Sequence, residues 1–130
     1  MLLIAVLRAW IARPDARVPG WYRGHADPVV GAALKQIHHA PEQPWTVQSL
    51  ARAAGTSRAT LARRFTELVG EPPMAFLAGW RIALAADLLR EPQATLGSVA
   101  RQVGYASPYA LSIAFKRHRG VSPREYLARR

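Results

Sequence analysis

Sixteen arginines and two lysines carry the positive charge of this chain, and they set the chemistry its side chains can perform. An arginine guanidinium is a flat fork of donors that matches two phosphate oxygens, or the O6 and N7 edge of guanine. Arg58, Arg63 and Arg64 fall within one stretch of seven residues, and Lys116, Arg117 and Arg119 within another of four. Other chemistries lack their residues. The chain has no cysteine, which excludes disulfides, thiolate metal sites and cysteine nucleophiles. The four histidines are His25, His38, His39 and His118. His38 and His39 are adjacent, so on a helix their rings diverge by about 100°. That pair reads as a solvated helix end rather than a metal site. No catalytic residue, metal ligand or cofactor site is expected.

The formal net charge is +10. Residues 44–130 carry thirteen basic against five acidic side chains, whereas residues 1–43 carry five against three. Such a basic region is drawn to polyphosphate or to anionic membrane. A coding bias toward arginine and alanine would give a similar composition, so placement has to distinguish these readings.

The elements that place these residues come in a repeat. TVQSLARAAG (46–55) and TLGSVARQVG (95–104) share Thr, Ser, Ala, Arg and Gly at a constant offset of 49. One residue is then inserted, and at an offset of 50 Leu61 matches Leu111, Phe65 matches Phe115, Gly70 matches Gly120 and Pro73 matches Pro123. One supersecondary unit has been built twice. In each, a Thr caps a short helix, a Gly ends it, a Ser caps a second helix and another Gly stops that. Two short helices with a tight Gly turn make a helix-turn-helix. The units span residues 46–70 and 95–120, and a helix over 74–90 joins them with Leu77, Trp80, Leu84 and Leu88 as its apolar stripe. Arg81 on that helix reads as structural, pairing with a nearby carboxylate. Upstream, Asp27 caps a helix that starts at Pro28 and ends before Pro41. Residues 2–12 form a further helix, and 13–24 a Pro- and Gly-rich loop. No strand-like alternation occurs. The expected fold is all-α: two helix-turn-helix subdomains joined by a long central helix, plus an extra N-terminal helix.

Ala51 and Ala100, four residues before their turn glycines, let the paired helices cross closely. Leu61 with Phe65, and Leu111 with Phe115, wedge the second helix against the first. The opposite face is left free to enter a major groove. In the first unit it holds Arg58, Ala59, Ala62, Arg63 and Thr66, with Arg64 on the flank. In the second it holds Pro108, Tyr109, Ser112, Ile113 and Lys116, with Arg117 and Arg119 nearby. Some readings stay open. Tyr109 either faces DNA or packs on the linker helix. Ile113 either touches a thymine methyl or is partly covered. Arg52 and Arg101 either meet phosphate or are merely solvated.

The string V-A-x-x-V-G-Y, Phe115-Lys116-Arg117 and Gly120-Val121-Ser122-Pro123, with Arg81-Ile82 and Leu88-Leu89 before them, resembles the C-terminal DNA-binding domain of the AraC/XylS family of bacterial regulators. The resemblance covers about residues 28–130. It implies seven helices, with recognition helices at about 58–69 and 108–119 in successive major grooves of double-stranded DNA. It also implies a transcription regulator, with the keyword activator, and RNA polymerase as a further partner. Residues 1–24, with Gly20-Trp21, look like the tail and linker of a cupin-type sensor, and 25–130 like the DNA-binding domain. The chain is therefore expected to be a truncated regulator or a fragment. The bare apolar helix over 2–12 is expected to fold back or to self-associate. The position of Ile113 is commonly basic in the family, so the first unit is expected to discriminate bases and the second to anchor backbone.

Competing classes fit less well. DNA-repair alkyltransferases resembling this family use a cysteine, which is absent. A passive protein-interaction module remains an alternative. A membrane binder is disfavoured because the apolar faces are only wide enough for a core. The run Met1 to Val6 has no basic flank or cleavage site and is too short to span a bilayer, so a cytoplasmic location is expected.

Overall fold

The computed structural model describes residues 24–129, and within them lie seven helices and no strand. They are α1 (Pro28–His39), α2 (Val47–Ala53), α3 (Arg58–Val69), α4 (Pro73–Leu88), α5 (Leu96–Val103), α6 (Pro108–Arg119) and α7 (Pro123–Ala128). The all-α expectation with two helix-turn-helix units and a central helix is met. The helix and sensor remnant expected within residues 1–23 fall outside the described residues.

Local chemistry starts and stops each helix. The Asp27 carboxylate accepts the Val29 and Val30 amides, both at 2.9 Å, and Pro28 supplies a first position that needs no donor. Thr46 and Ser49 satisfy each other's amides reciprocally, and Thr95 and Ser98 repeat the arrangement 49 residues later. Ser57, Ser107 and Ser122 cap α3, α6 and α7. The helices α3, α5 and α6 each end on a glycine in the left-handed region, at Gly70, Gly104 and Gly120.

The core is apolar throughout: no polar or charged residue among those described is fully buried. The first lobe packs α1 on α2 and α3, and α2 on α3; the second packs α5 on α6, and α6 on α7. Leu61, Phe65, Leu111 and Phe115 are completely buried, as wedges between paired helices must be. Burying each contributes about 1.5–3 kcal/mol relative to exposure. Ala51 and Ala100 are buried where the helices of each unit cross.

Three expectations change in detail. The central helix is not apolar along one stripe alone: Phe76, Ile82, Ala85 and Ala86 are buried besides Leu77, Trp80 and Leu84, while Leu88 is only half-buried. It packs on α3 from one lobe and on α5 and α6 from the other, so two of its sides need cover. His38 is not a solvated helix end. Its ring lies 4.6 Å from Trp80, 5.5 Å from His25 and 5.9 Å from Phe76, centroid to centroid. Burial lowers its pKa from 6.5 to about 4, with His25 adding to the effect. Arg81 is structural: its hydrogen-bond partners are carbonyls, and the Glu42 carboxylate acts on it by charge alone. Nε donates to Pro41 O and Nη2 to Gln43 O, each at 2.8 Å.

Candidate nucleic-acid interface

Each helix-turn-helix presents one face of its second helix to solvent because the other face is consumed by the wedge residues. On α3, Arg58 and Ala59 are exposed at the first turn, where Ser57 fixes the helix start by accepting the Thr60 amide at 3.1 Å. Arg63 follows five residues after Arg58 and is also exposed. It pairs with Glu67, 3.7 Å away at i+4 with both side chains more than half in water. A surface pair of that kind is worth under about 1 kcal/mol and leaves the guanidinium available. Ala62 is half-buried beside it, and the exposed Thr66 turns its hydroxyl inward, donating to the Ala62 carbonyl at 2.8 Å. In this arrangement the Thr66 proton is committed to the helix, and its oxygen still has acceptor capacity.

Arg64 is placed elsewhere. Its guanidinium pairs with the Asp27 carboxylate at the head of α1, and the Asp27 side chain is largely covered. The Asp27 pKa is held below its usual value first by the Val30 amide, and also by Arg64 and the Val29 amide. Arg64 therefore braces α3 against α1 instead of lying with Arg58 and Arg63. The repeat carries a signal for this. The position equivalent to Arg64 is Ala114, which is buried on α6, so the register points inward.

On α6, Tyr109 is 75 % exposed, so most of its side chain lies open to solvent. Ile113 is 43 % exposed, so it is partly covered and still presents apolar surface. Ser112, Ile113 and Lys116 share one shallow cleft with Arg117 and Ser122. The sequence reading named the first three and placed Arg117 nearby. Ser122 was not singled out, because its role as the α7 cap hides the fact that the α6–α7 turn folds back beside α6. The last turn of α6 holds Lys116, Arg117, His118 and Arg119, a basic cluster at the negative end of the helix dipole. Arg52 and Arg101, at equivalent places on α2 and α5, are both exposed. The two faces differ in kind: arginines flanking small residues on α3, and an aromatic, an aliphatic and a lysine on α6.

No helix among the described residues is long and apolar enough to cross a membrane. Nor do three His, Asp or Glu side chains gather there in a way that could hold a metal ion.

Comparison with known proteins gives this geometry its context. A family model described as a helix-turn-helix domain matches residues 50–129. A protein of Streptomyces lividans, named as an AraC-like transcription regulator, is 50 % identical over 126 residues, covering 97 % of this chain and 41 % of that protein. The HTH-type transcriptional regulator AlkR of Acinetobacter baylyi is 40 % identical over 126 residues, again 97 % of this chain and 41 % of AlkR. The chain thus spans about two fifths of the length of these relatives. Among solved structures, the DNA-binding domain of the global transcriptional factor AdpA, crystallised with a target DNA, superposes with a TM-score of 0.71 at 36 % identity, covering 79 % of this chain and 92 % of that one. The chain belongs to the helix-turn-helix family, as an AraC-type DNA-binding domain.

Proposed function

We propose that this chain is the DNA-reading part of a bacterial transcription regulator, with α3 and α6 entering successive major grooves on one face of the duplex. The observation that carries the reading is the free face of α3: two exposed arginines five residues apart, with Ala59 and Ala62 between them small enough to let the backbone approach bases. Arg58 stands at the first helical position, against the positive end of the dipole, which disfavours a cation by about 0.3–1 kcal/mol. A DNA phosphate or a guanine edge turns that placement to advantage. The 36 % identical AdpA domain, crystallised with a target DNA, supports DNA binding by this chain.

Roles follow from side-chain chemistry. Arg58 and Arg63 contact guanine edges or adjacent phosphates, and Ala59 and Ala62 meet thymine methyls. Thr66 accepts or bridges through water. Tyr109, Ser112 and Lys116 anchor the sugar-phosphate backbone, and Ile113 covers a thymine methyl or a sugar. Arg64 leaves the contact set and supports α3 from behind. The chain binds and does not catalyse. Residues 25–130 form the binding domain, and residues 1–24 the tail of a preceding sensor domain whose effector acts elsewhere. RNA polymerase is the expected partner at a promoter, self-association runs through residues 2–12, and the location is cytoplasmic.

Selection of bound sites from a random duplex library tests this directly. The expected result is a two-part site whose affinity falls with salt at a log–log slope of about −0.9 per phosphate neutralised. Salt-insensitive binding, or no enriched sequence, refutes it.

A further inference from the structure

Beside the central helix, the two lobes approach each other closely at Gly104. Gly104 ends α5 at φ +98, a conformation that favours glycine. A Cβ at Gly104 would also lie 3.0 Å from Arg81 Cζ, from Arg81 Nη2 and from Glu42 Cα. Glu42 belongs to the loop between α1 and α2 in the first lobe, whereas Gly104 is the turn of the second. The backbones of the two lobes are therefore nearly in contact, with the Arg81 guanidinium packed between them. That guanidinium donates to Pro41 O and Gln43 O, on either side of Glu42, each at 2.8 Å. Its other side faces the half-buried Tyr105 ring, 5.8 Å from the ring centroid. Gly55, the equivalent turn residue of the first unit, has positive φ too, yet a Cβ there would meet nothing within 4 Å. The close approach is specific to the second turn and is no general property of the repeat.

We infer that Arg81, gripping the 41–43 loop and roofed by Gly104 and Tyr105, is a positioning residue that fixes the angle and separation of α3 and α6, and so sets which half-site spacing the domain accepts. The spacing part of this inference rests on the DNA-binding reading above. A fork that binds two carbonyls of one loop resists both sliding and rotation, which a single bond does not. One base pair inserted between half-sites rotates the second groove by about 34° and moves it about 3.4 Å. A rigid domain cannot follow that shift without losing at least the value of one base contact, about tenfold in affinity.

Two measurements test the inference, and only one depends on DNA. The chain has no cysteine, so Glu71→Cys just after α3 with His118→Cys in the last turn of α6, both at exposed positions, gives a clean pair of spin-label sites. Pulsed dipolar spectroscopy should give one narrow distance distribution for the parent and broad ones for Arg81→Ala, Arg81→Lys and Gly104→Ala. Arg81→Lys keeps the charge and loses the fork, so it should behave like alanine. If Arg81→Ala fails to fold, by circular dichroism, Arg81→Lys and Gly104→Ala carry the test. The second measurement uses the duplex selected by the parent and the same duplex with one base pair added or removed between its halves. The parent should discriminate by about tenfold or more and the variants by less than about threefold, with the base preference inside each half unchanged. Unchanged distance distributions in all folded variants overturn the clamp alone. Retained spacing discrimination with broadened distributions overturns the link from clamp to site choice. A parent that selects no two-part site overturns the DNA reading and the spacing claim with it.

Discussion

Acidification should destabilise this domain chiefly through the His38 ring. His38 is packed among Trp80, Phe76 and His25, and burial lowers its pKa from 6.5 to about 4. In the unfolded chain it takes up a proton near pH 6.5; in the folded one it resists until about pH 4. Between those values the unfolded state binds more protons, so stability falls as pH falls. The contribution is intact above pH 6.5 and fully lost below about pH 4. Holding the ring neutral from pH 6.5 down to about 4 sets a ceiling of about 3 kcal/mol, reduced to about 2 because the ring keeps some solvent contact. The neighbouring His25, lowered by burial and by Lys35, adds in the same direction. Asp27 acts at lower pH, because its folded value lies below 3.8. The assay is urea unfolding at several pH values between 7 and 4, for the parent and for His38→Phe, which keeps an aromatic ring and cannot ionise. The parent should lose about 2 kcal/mol more than the variant across that range. Parallel curves would refute the reasoning and would mean that His38 is hydrated enough to titrate normally.

Other consequences can be read with standard measurements. Arg64→Ala should cost about 1–2 kcal/mol of stability by leaving the covered Asp27 carboxylate without its cation, and Asp27→Asn should abolish the difference in a double-mutant cycle; the sequence preference selected by the variant should match the parent's. Arg63→Ala should relax preference at one base pair at a cost of about 1–3 kcal/mol while thermal stability stays within about 0.5 kcal/mol; an unchanged motif removes Arg63 from the reading set. Ala51→Leu should lower thermal stability by about 1–3 kcal/mol through overpacking at the α2–α3 crossing. Lys116→Ala should weaken binding evenly across sequences and flatten the salt slope by about one phosphate.

The helix starts were legible because a cap is a local device: the side chain of Asp27, Thr46, Ser57, Thr95 or Ser107 bonds an amide two or three residues ahead. The recognition faces were legible because the duplicated sequence could be aligned on itself, so that wedge residues in one unit identified those in the other. The pairing of Arg64 was not legible because its partner Asp27 lies 37 residues away, and only the crossing of α1 and α3 brings them together. His38 was misread for a related reason. Adjacency to His39 says how two rings diverge and nothing about Trp80, which arrives from another helix. The carbonyl partners of Arg81 leave no mark on residue types at all, since any sequence at positions 41 and 43 offers the same oxygens.

The central helix has one more implication. Because α4 supplies apolar surface to α3 on one side and to α5 and α6 on the other, neither copy of the duplicated unit owns a complete interior. Cutting the chain between α4 and α5 would strand the side chains that meet the second half, and cutting before α4 would strip the first of Phe76 and Trp80. Native-state hydrogen exchange should therefore show α3, α4 and α6 opening together as one cooperative block, with the same free energy. What began as two copies has become indivisible, and a single half should not survive on its own.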